Sequence, residues 1–464
     1  MNILIAPNSM KGSLDAPGVA AAVAAGFREA SPLFNLRLVP IADGGDFTGE
    51  ILRDSLGARE YRETVAGPLG APVEAGYGIA GHTAIIEMAS ASGLRLLGKG
   101  EYLPGEASSL GTGELIRAAL ERGCRRIIMG LGGSATVDGG IGLLAGLGFS
   151  FYDASGNSLP PLPSSLRRVS HLEAPGDLPQ NVEYILLADV TNPLLGEEGA
   201  AMVFGPQKGA GPMMIRELEA GLTHWITLLE ELSGRPLRDL PGMGAAGGVA
   251  SGLVALCDAT LVRGAEFLFD QLEMERHLSW ADWIITGEGR CDACGGKDKG
   301  PGRLAIMAAA AEKPVTSFSG SFDAMATREY TGVFSISNGA ETLQELTGGA
   351  AERVKVLSFE LARVLMAAFP GAAGHHRLLT EAGKSLADNN IPRALSLLEE
   401  GDAGKLSACW YLKGTIYQKL QQWGDAINCF SKSLELDQGN KKSETGLAMV
   451  RQILAFRNPD LLNP

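Results

Sequence analysis

The chain has 464 residues, enough for two or three domains. Hydrophobic residues make up 45% and charged residues 20% of it, which is typical of a globular protein and excludes a largely disordered chain. Its formal net charge of −13 argues against nucleic acid or an anionic membrane as a partner, and it leaves a small anionic substrate open.

The cysteines and the first residues indicate the cellular location. Six cysteines are scattered through the chain without a disulfide framework, which is typical of a reducing compartment. The opening MNILIAPNSM has no basic lead, so we expect no signal peptide, and no apolar run approaches the roughly 18 residues of a membrane helix. We therefore expect a cytoplasmic protein without a membrane partner.

Residues 1–57 alternate between strand and helix patterns. NILIAP predicts a first buried strand, and a helix with Val19, Val23 and Phe27 on one face follows it. LRLVPIADGG then predicts a second strand, and this alternation favours a parallel α/β sheet.

The pattern changes at residue 58. GPLGAPVEAGYGIAGHTAIIEMA is rich in glycine and proline and has short alternating runs that predict hairpins. The α/β alternation returns with ADWIITGEG near residue 281, a helix over 301–311, and two more strands, PVTSFSG and GVFSIS. We therefore expect a discontinuous α/β domain formed by residues 1–57 and 275–368, with a mixed α/β domain, residues 58–274, inserted into it.

Residues 377–456 form a third, helical region. Trp410, Gly414, Tyr417 and Phe430 have the spacing of a tetratricopeptide repeat, and a degenerate copy precedes them. Two such repeats cannot close a core by themselves. We expect this tail to pack on the rest of the chain, on a second subunit by self-association, or on a protein partner.

The stretch GLGGSATVDGG, residues 130–140, contains five glycines. It lies between a predicted strand, RRIIMG, and a predicted helix, IGLLAG, where backbone N–H groups and the helix dipole favour an anion. GLGGSA also weakly fits the dinucleotide pattern G-x-G-x-x-A, with Asp153 as the ribose ligand, so a nicotinamide dehydrogenase is an alternative. The phosphate ligands that we predict in this loop are Gly132, Gly133, Ser134, Ala135 and Thr136.

Other polar residues also follow predicted strands, and the carboxyl ends of strands are where open α/β sheets bind ligands. Phosphoryl transfer needs cations and Mg²⁺ around the phosphates and a carboxylate that accepts the hydroxyl proton. The candidates are Lys11 and Ser13 after the first strand, Asp43 after the second, Asp189 and Asn192 in ADVTN, and Gly287, Glu288, Gly289 and Arg290 in TGEGR.

Together these motifs resemble the bacterial glycerate kinase family. The resemblance covers roughly residues 1–368 and is carried, in this order, by APNSMKGSL, ADGGDFT, GTGELIRAAL, GLGGSATVDGG, ADVTNPLLGEEGAAMVFGPQKGA, GAAGG and TGEGR. It implies phosphorylation of D-glycerate by ATP with Mg²⁺, usually to 2-phosphoglycerate and not 3-phosphoglycerate. It also implies a discontinuous flavodoxin-like domain with an inserted mixed α/β domain, whereas the helical-repeat tail is not part of the family pattern.

We assign roles to the candidates from loop position and chemistry. Lys11, Gly287 and Gly289 join the glycine loop in binding the phosphates of ATP, and Asp189 or Glu288 holds Mg²⁺. Asp43 is the candidate base for the substrate hydroxyl, Arg290 or Lys208 pairs with the glycerate carboxylate, and Ser13 and Asn192 complete the substrate site.

The sequence departs from the family pattern at several positions. Asn8 stands where the family usually has aspartate, Phe47 where it has glycine, and Cys294 and Gly295 where it has polar residues. Cys291 and Cys294 form a CxxC pair without a second pair or a nearby histidine, so we interpret them as incidental thiols. The alternative hypothesis is a weakened kinase core that acts as a scaffold or regulator and presents the repeats to a protein partner.

Overall fold

The computed structural model describes residues 1–45, 47–98, 100–291, 299–323, 328–337, 339, 342–368, 372–400 and 403–457. The chain divides into two compact units. Unit 1 comprises Met1–Ile41 and Glu273–Pro464, and unit 2 comprises Ala42–Leu272.

The strands, in chain order, are β1 (Asn2–Ile5), β2 (Asn35–Leu38), β3 (Arg59–Ala66), β4 (Pro72–Ala80), β5 (Thr83–Glu87), β6 (Arg126–Gly130), β7 (Ser150–Tyr152), β8 (His171–Glu173), β9 (Glu183–Ala188), β10 (Thr260–Arg263), β11 (Trp283–Cys291), β12 (Val315–Phe322) and β13 (Gly332–Ser335). The helices of the core are α1 (Ala16–Ala30), α2 (Thr48–Ser55), α3 (Ala89–Ser92), α4 (Leu110–Glu121), α5 (Ile141–Gly146), α6 (Ala200–Phe204), α7 (Pro212–Ser233), α8 (Ala250–Leu256), α9 (Gly264–Gln271), α10 (Met274–Trp280), α11 (Gly300–Ala310), α12 (Leu343–Gly348) and α13 (Ala350–Ala368). The helices of the tail are α14 (Ala372–Ala387), α15 (Ile391–Glu399), α16 (Ser407–Lys419), α17 (Trp423–Leu436) and α18 (Lys441–Arg457).

The sheet of unit 1 is parallel and has the order β2-β1-β11-β12-β13. Numbered within the unit, this order is 2-1-3-4-5, the flavodoxin-like arrangement. Helix α1 starts where the Asp15 side chain accepts a hydrogen bond from the Gly18 N–H, and it buries Val23 and Phe27. It packs on α13 so closely that a Cβ at Gly26 would lie 2.3 Å from the Lys355 carbonyl oxygen. The structure confirms the predicted discontinuous flavodoxin-like fold.

Unit 2 contains a mixed six-stranded sheet of order β10-β9-β6-β5-β4-β3. Strands β3, β4 and β5 pair antiparallel, as predicted from the hairpin pattern after residue 58. Strands β5, β6, β9 and β10 are parallel, so their carboxyl ends lie at one edge of the sheet. Trp225, Phe151 and Leu144 are among the buried side chains that fill the core of this unit.

Unit 2 begins earlier along the chain than the predicted inserted domain. The prediction puts α2 in the first domain, with a boundary at 57/58, whereas the compact unit starts at Ala42. Helix α2 packs on β5, where the Gly49 N–H donates to Glu87 Oε1 at 2.8 Å. The second division lies at 272/273, next to the predicted boundary at 274/275.

The tail belongs to unit 1, and its helices pack in sequence as helical hairpins. Leu398, Cys409 and Ile416 form a buried cluster with Leu33, which precedes β2. Phe430 fills the core of the last helices. The tail therefore covers an apolar face on its own chain, the first of the three arrangements that we expected. None of the helices in the described ranges is long and apolar enough to cross a membrane.

Candidate active site

The glycine loop follows β6 at the carboxyl edge of the unit 2 sheet. Gly133 has φ +68°, a left-handed conformation that glycine adopts without strain. The Leu94 N–H donates to the Gly133 carbonyl at 2.9 Å, and the Ala135 N–H donates to the Ser92 carbonyl at 2.9 Å. These two bonds hold the loop against the end of α3 and the residues that follow it.

The five predicted phosphate ligands divide between two sides of this loop. Gly132 and Gly133 line a cavity, so their backbone is accessible to a ligand. The side chains of Ser134, Ala135 and Thr136 are buried beneath the loop. Backbone atoms of the two glycines are therefore best placed to contact phosphate.

Asp138 anchors the end of the loop. Its carboxylate is buried and accepts hydrogen bonds from the Ser109 N–H and hydroxyl, at 2.8 and 2.7 Å, and from the N–H groups of Gly140 and Gly142, at 3.1 and 3.3 Å. Burial raises the pKa of this carboxyl, and the four hydrogen bonds oppose the increase. Asp138 thus ties the loop to α4 and α5.

The cavity beside the loop has a volume of about 170 Å³. Besides Gly132 and Gly133 it is lined by Phe47, Glu87 and Arg95, which combine an aromatic ring, a carboxylate and a guanidinium. Sequence reasoning missed Glu87 and Arg95. Glu87 ends the apolar run TAIIE, so its position at the end of a strand could have identified it, whereas Arg95 carries no such signal.

Phe47 occupies a backbone conformation that favours glycine. Its φ is +68°, and it precedes α2. A bulky residue in this region is uncommon and strained. The Arg95 guanidinium carbon lies 5.3 Å from the centre of the Phe47 ring, a cation–π distance. The positive φ explains why glycine is expected at this position. Phenylalanine adds a cation–π contact with Arg95.

Asp43 and Asp189 converge on Gly45. A Cβ added at Gly45 would lie 2.9 Å from Asp189 Oδ2 and 3.2 Å from Asp43 Oδ1. The Gly45 N–H donates to Asp43 Oδ1 at 3.2 Å. The structure therefore brings together the predicted base and a predicted metal ligand, which are far apart in sequence.

This carboxylate pair matches the donor chemistry of Mg²⁺. The ion takes oxygen ligands and is typically bound by one or two carboxylates together with substrate phosphates and water. In the described part of the chain, no group of three or more histidine, cysteine, aspartate or glutamate side chains could hold a metal. Two carboxylates facing a small glycine are compatible with an ion that completes its shell from a nucleotide.

Unit 1 brings together a second set of predicted residues, at the carboxyl ends of β1 and β11. The Asn8 N–H donates to the Gly287 carbonyl at 2.9 Å. A Cβ at Gly289 would lie 3.3 Å from the Lys11 backbone nitrogen. Lys11 is exposed, so its ammonium is accessible to an anion.

Glu288 and Arg290 lie on the same strand, β11, in different environments. Glu288 is 6% exposed, in register with Ser319 of β12. The Arg290 side chain is 68% exposed and lies 3.9 Å from Asp323. Arg290 therefore remains available to a substrate carboxylate, and Glu288 belongs to the buried end of the strand.

Two predicted substrate ligands have partners within the protein. Ser13 Oγ donates to the Thr347 carbonyl at 2.9 Å. Asn192 Nδ2 donates to the Glu198 carbonyl at 2.8 Å. Asp153, the ribose ligand of the dinucleotide alternative, accepts from the N–H groups of Ser155 and Asn157 and stabilises a surface turn. Cys294 and Gly295 lie outside the described residues.

Comparison with known proteins assigns the two parts of the chain separately. Residues 3–366 match the profile of the glycerate kinase family, and residues 407–440 match a tetratricopeptide repeat. Glycerate 2-kinase of Escherichia coli K12 is 40% identical over 373 residues, which cover 79% of this chain and 98% of the relative. Glycerate kinase of Bacillus subtilis 168 is 38% identical over 370 residues, which cover 78% of this chain and 97% of the relative.

A solved crystal structure agrees with these sequence matches. It is of a protein from Salmonella typhimurium LT2 that carries a provisional glycerate kinase 2 assignment. The two structures superpose with a TM-score of 0.70 at 40% sequence identity, covering 79% of this chain and 99% of the other. The similarity therefore extends through the α/β core.

Proposed function

Because the chain belongs to the glycerate kinase family, we propose that it phosphorylates D-glycerate with ATP as phosphoryl donor and Mg²⁺ as cofactor. We propose 2-phosphoglycerate as the product in preference to 3-phosphoglycerate. The observation that carries the proposal is the position of the glycine loop, which lines a cavity in the unit that also brings Asp43 and Asp189 together. A phosphate-binding loop and a carboxylate pair are the main requirements of phosphoryl transfer.

The glycine loop is proposed to bind the phosphates of ATP. Gly132 and Gly133 expose backbone at the cavity, and glycine lets a phosphate approach the backbone closely. Lys11 is proposed to add a positive charge, and Gly287 and Gly289 to allow close approach at the end of β11. These groups orient the phosphates and offset their negative charge.

The paired carboxylates are proposed to divide two tasks. Asp189 is exposed and would hold Mg²⁺, and Glu288 is the second candidate for this role. Mg²⁺ supplies charge neutralisation to the phosphates when it is bound. Asp43 would accept the proton of the attacking glycerate hydroxyl, as a carboxylate within hydrogen-bond reach can do.

Arg290 is proposed to pair with the glycerate carboxylate. A guanidinium binds a planar carboxylate through two parallel hydrogen bonds, which also orient the substrate. Ser13 and Asn192 remain candidates for the substrate site through small rearrangements of the bonds described above. The scaffold alternative is not favoured, because the glycine loop and the carboxylates of a kinase are retained.

We also propose a cytoplasmic location. All five cysteines that the structure describes are free thiols, which agrees with a reducing compartment. The prediction of a protein partner for the tail stays a prediction.

A coupled assay of ADP release tests the proposed function. We expect ADP release that requires ATP, Mg²⁺ and D-glycerate together, and ³¹P NMR of the product should show 2-phosphoglycerate. Asp189→Asn should lower kcat at least tenfold and raise the Mg²⁺ concentration needed for half-maximal rate. The control is Asp153→Asn, which changes a carboxylate in a surface turn and should leave the rate unchanged. Glycerate-independent ADP release, or no release at all, would refute the proposal.

A further inference from the structure

Lys208 is a lysine whose amino group lies inside unit 2. It ends the short 3-10 helix Pro206–Lys208 and is only 3% exposed. Its Nζ donates to Ser134 Oγ at 2.8 Å and to the Thr136 carbonyl at 2.7 Å, both in the glycine loop. From its sequence position, Lys208 is an alternative to Arg290 as the partner of the substrate carboxylate, and in the structure both of its hydrogen bonds go to the glycine loop.

Burying an amino group has a cost that an apolar side chain would avoid. Desolvation lowers the pKa of Lys208 to about 7, and the negative charge of Asp138 opposes that change. A methionine or leucine could fill a similar volume without this penalty. The hydrogen bonds that only an amino group can donate therefore favour a functional role for this lysine.

Both hydrogen-bond acceptors of Lys208 belong to the glycine loop. They lie on residues 134 and 136, on the buried side, while Gly132 and Gly133 lie on the cavity side. The same loop is also held by two backbone bonds, from the Ala135 N–H to the Ser92 carbonyl and from the Leu94 N–H to the Gly133 carbonyl. The loop is thus anchored by Lys208 at Ser134 and Thr136 and by residues 92–94 at Gly133 and Ala135.

We propose that Lys208 is a positioning residue, which holds the loop of residues 132–136 in the conformation that binds nucleotide phosphates and does not itself contact the substrate. The inference rests on the proposed function in that it takes nucleotide phosphates as the ligand of the loop. Without the two bonds, the glycines would sample several backbone conformations, because glycine has the widest conformational freedom. Binding would then require ordering of the loop, which weakens affinity for the nucleotide.

The proposal predicts a selective kinetic effect. Lys208→Met keeps a similar length and removes the amino group with its N–H donors. We expect the KM for ATP to rise at least tenfold and kcat to fall, while the KM for D-glycerate changes less than threefold. Lys208→Arg keeps N–H donors at this position and should recover part of the affinity for ATP. If Lys208 bound the glycerate carboxylate directly, the KM for D-glycerate would rise instead, and the proposal would be overturned.

Hydrogen exchange of the loop gives a readout that does not depend on activity. In the nucleotide-free protein, we expect backbone amides of residues 132–136 to exchange at least tenfold faster in Lys208→Met than in the wild type. The matched control is Lys313→Met, which removes another partly buried lysine that donates to a backbone carbonyl, that of Ala281, at 2.7 Å in unit 1. This control should change neither loop exchange nor the KM for ATP.

The outcomes separate this inference from the proposed function. Unchanged loop exchange in folded Lys208→Met, or faster exchange with an unchanged KM for ATP, would overturn the positioning role. If the wild type shows no glycerate-dependent ADP release, the proposed function fails, and the exchange comparison still decides whether Lys208 holds the loop. Should Lys208→Met fail to fold, Ser134→Ala removes one of the two acceptors and should change exchange and KM in the same direction, to a smaller extent.

Discussion

Asn35 joins the sheet of unit 1 to the helical tail, and Asn35→Ala should weaken this junction. Asn35 is the first residue of β2 and is 1% exposed. Its Nδ2 donates to the Lys405 carbonyl at 2.7 Å and to Asn2 Oδ1 at 2.8 Å, and its Oδ1 accepts from the Ser407 N–H at 2.8 Å. Ser407 is the first residue of α16, whose own N-cap residue, Leu406, makes no side-chain cap. Asn35 therefore caps a tail helix from a strand of the core.

The magnitude follows from what each broken bond leaves behind. Ser407 is 2% exposed, so its N–H loses its acceptor in a place that water does not readily reach. An unsatisfied buried donor costs about 1–3 kcal/mol, and loss of a helix cap costs about 0.5–2 kcal/mol. Lys405 is exposed, and its carbonyl can accept from water instead. We therefore expect Asn35→Ala to lower the free energy of unfolding of the tail by about 2 kcal/mol.

Denaturant unfolding followed by tryptophan fluorescence measures this effect, because Trp410 and Trp423 both lie in the tail. Hydrogen exchange of α16 should accelerate in parallel. The control is Asn390→Ala, which removes the N-cap of α15 within the tail and leaves the junction intact. Glycerate kinase activity should stay within about twofold of the wild type, because Asn35 lies at the amino end of the parallel sheet and ligands bind at the carboxyl end. A loss below about 0.5 kcal/mol, with unchanged exchange in α16, would refute the capping role.

The other predictions concern the cavity, the buried lysine and the tail. Phe47→Gly should relieve the strain of a left-handed backbone, about 1–2 kcal/mol, and so raise the melting temperature. It should also open the cavity and change the KM for ATP or D-glycerate, and an unchanged KM for both would show that the ring contacts neither ligand. Gly133→Val should abolish turnover in a folded protein, since a β-branched residue is strained at φ +68° and would obstruct phosphate; wild-type affinity for ATP would contradict this. Lys208 has a pKa of about 7 in the folded protein against 10.5 for an ordinary lysine, so between these pH values the unfolded chain binds more protons. The free energy of unfolding of the wild type relative to that of Lys208→Met should therefore rise from pH 7 to pH 10.5, and a difference in urea unfolding that does not change with pH would argue against a buried amino group. Truncation after Ala368 should retain turnover while lowering stability or solubility, because it uncovers Leu33 and Asn35; a folded but inactive truncation would place part of the tail at the active site.

Much of the fold could be predicted because its signals are local. The alternation of apolar strands and amphipathic helices near both ends of the core indicated one discontinuous parallel sheet, and the glycine- and proline-rich stretch after residue 58 indicated antiparallel strands. The predicted boundary after residue 57 differs from the start of unit 2 because nothing in the sequence of helix α2 indicates that it packs on β5. Its packing on β5 depends on a close approach between Gly49 and Glu87 that only the tertiary structure shows.

The candidate site was predictable to the extent that it follows strand ends. Loop position identified Asp43, Asp189 and the glycine loop, and the structure brings the first two together at Gly45. Depth of burial could not be inferred in this way, because a lysine in FGPQKG looks the same in sequence whether its ammonium faces solvent or the interior. Arg95 was missed for a related reason, since it is placed by the turn after α3 and not by a strand.

The order of strands in unit 1 has a consequence for synthesis of the chain. Strand β1 is an interior strand, yet one of its two neighbours, β11, begins at Trp283, after the whole of unit 2 has been made. At about 5–20 residues per second, β1 and β2 emerge from the ribosome roughly 10–50 s before β11 can pair with them. Unit 2 is continuous and can complete its core during that interval, while the apolar NILI edge stays open to mispairing or chaperone capture. Ribosomal arrest after unit 2 has emerged, but before β11 emerges, should therefore yield a folded unit 2 while the side of β1 that pairs with β11 is still open. The final assembly of unit 1 would follow release of the last helices.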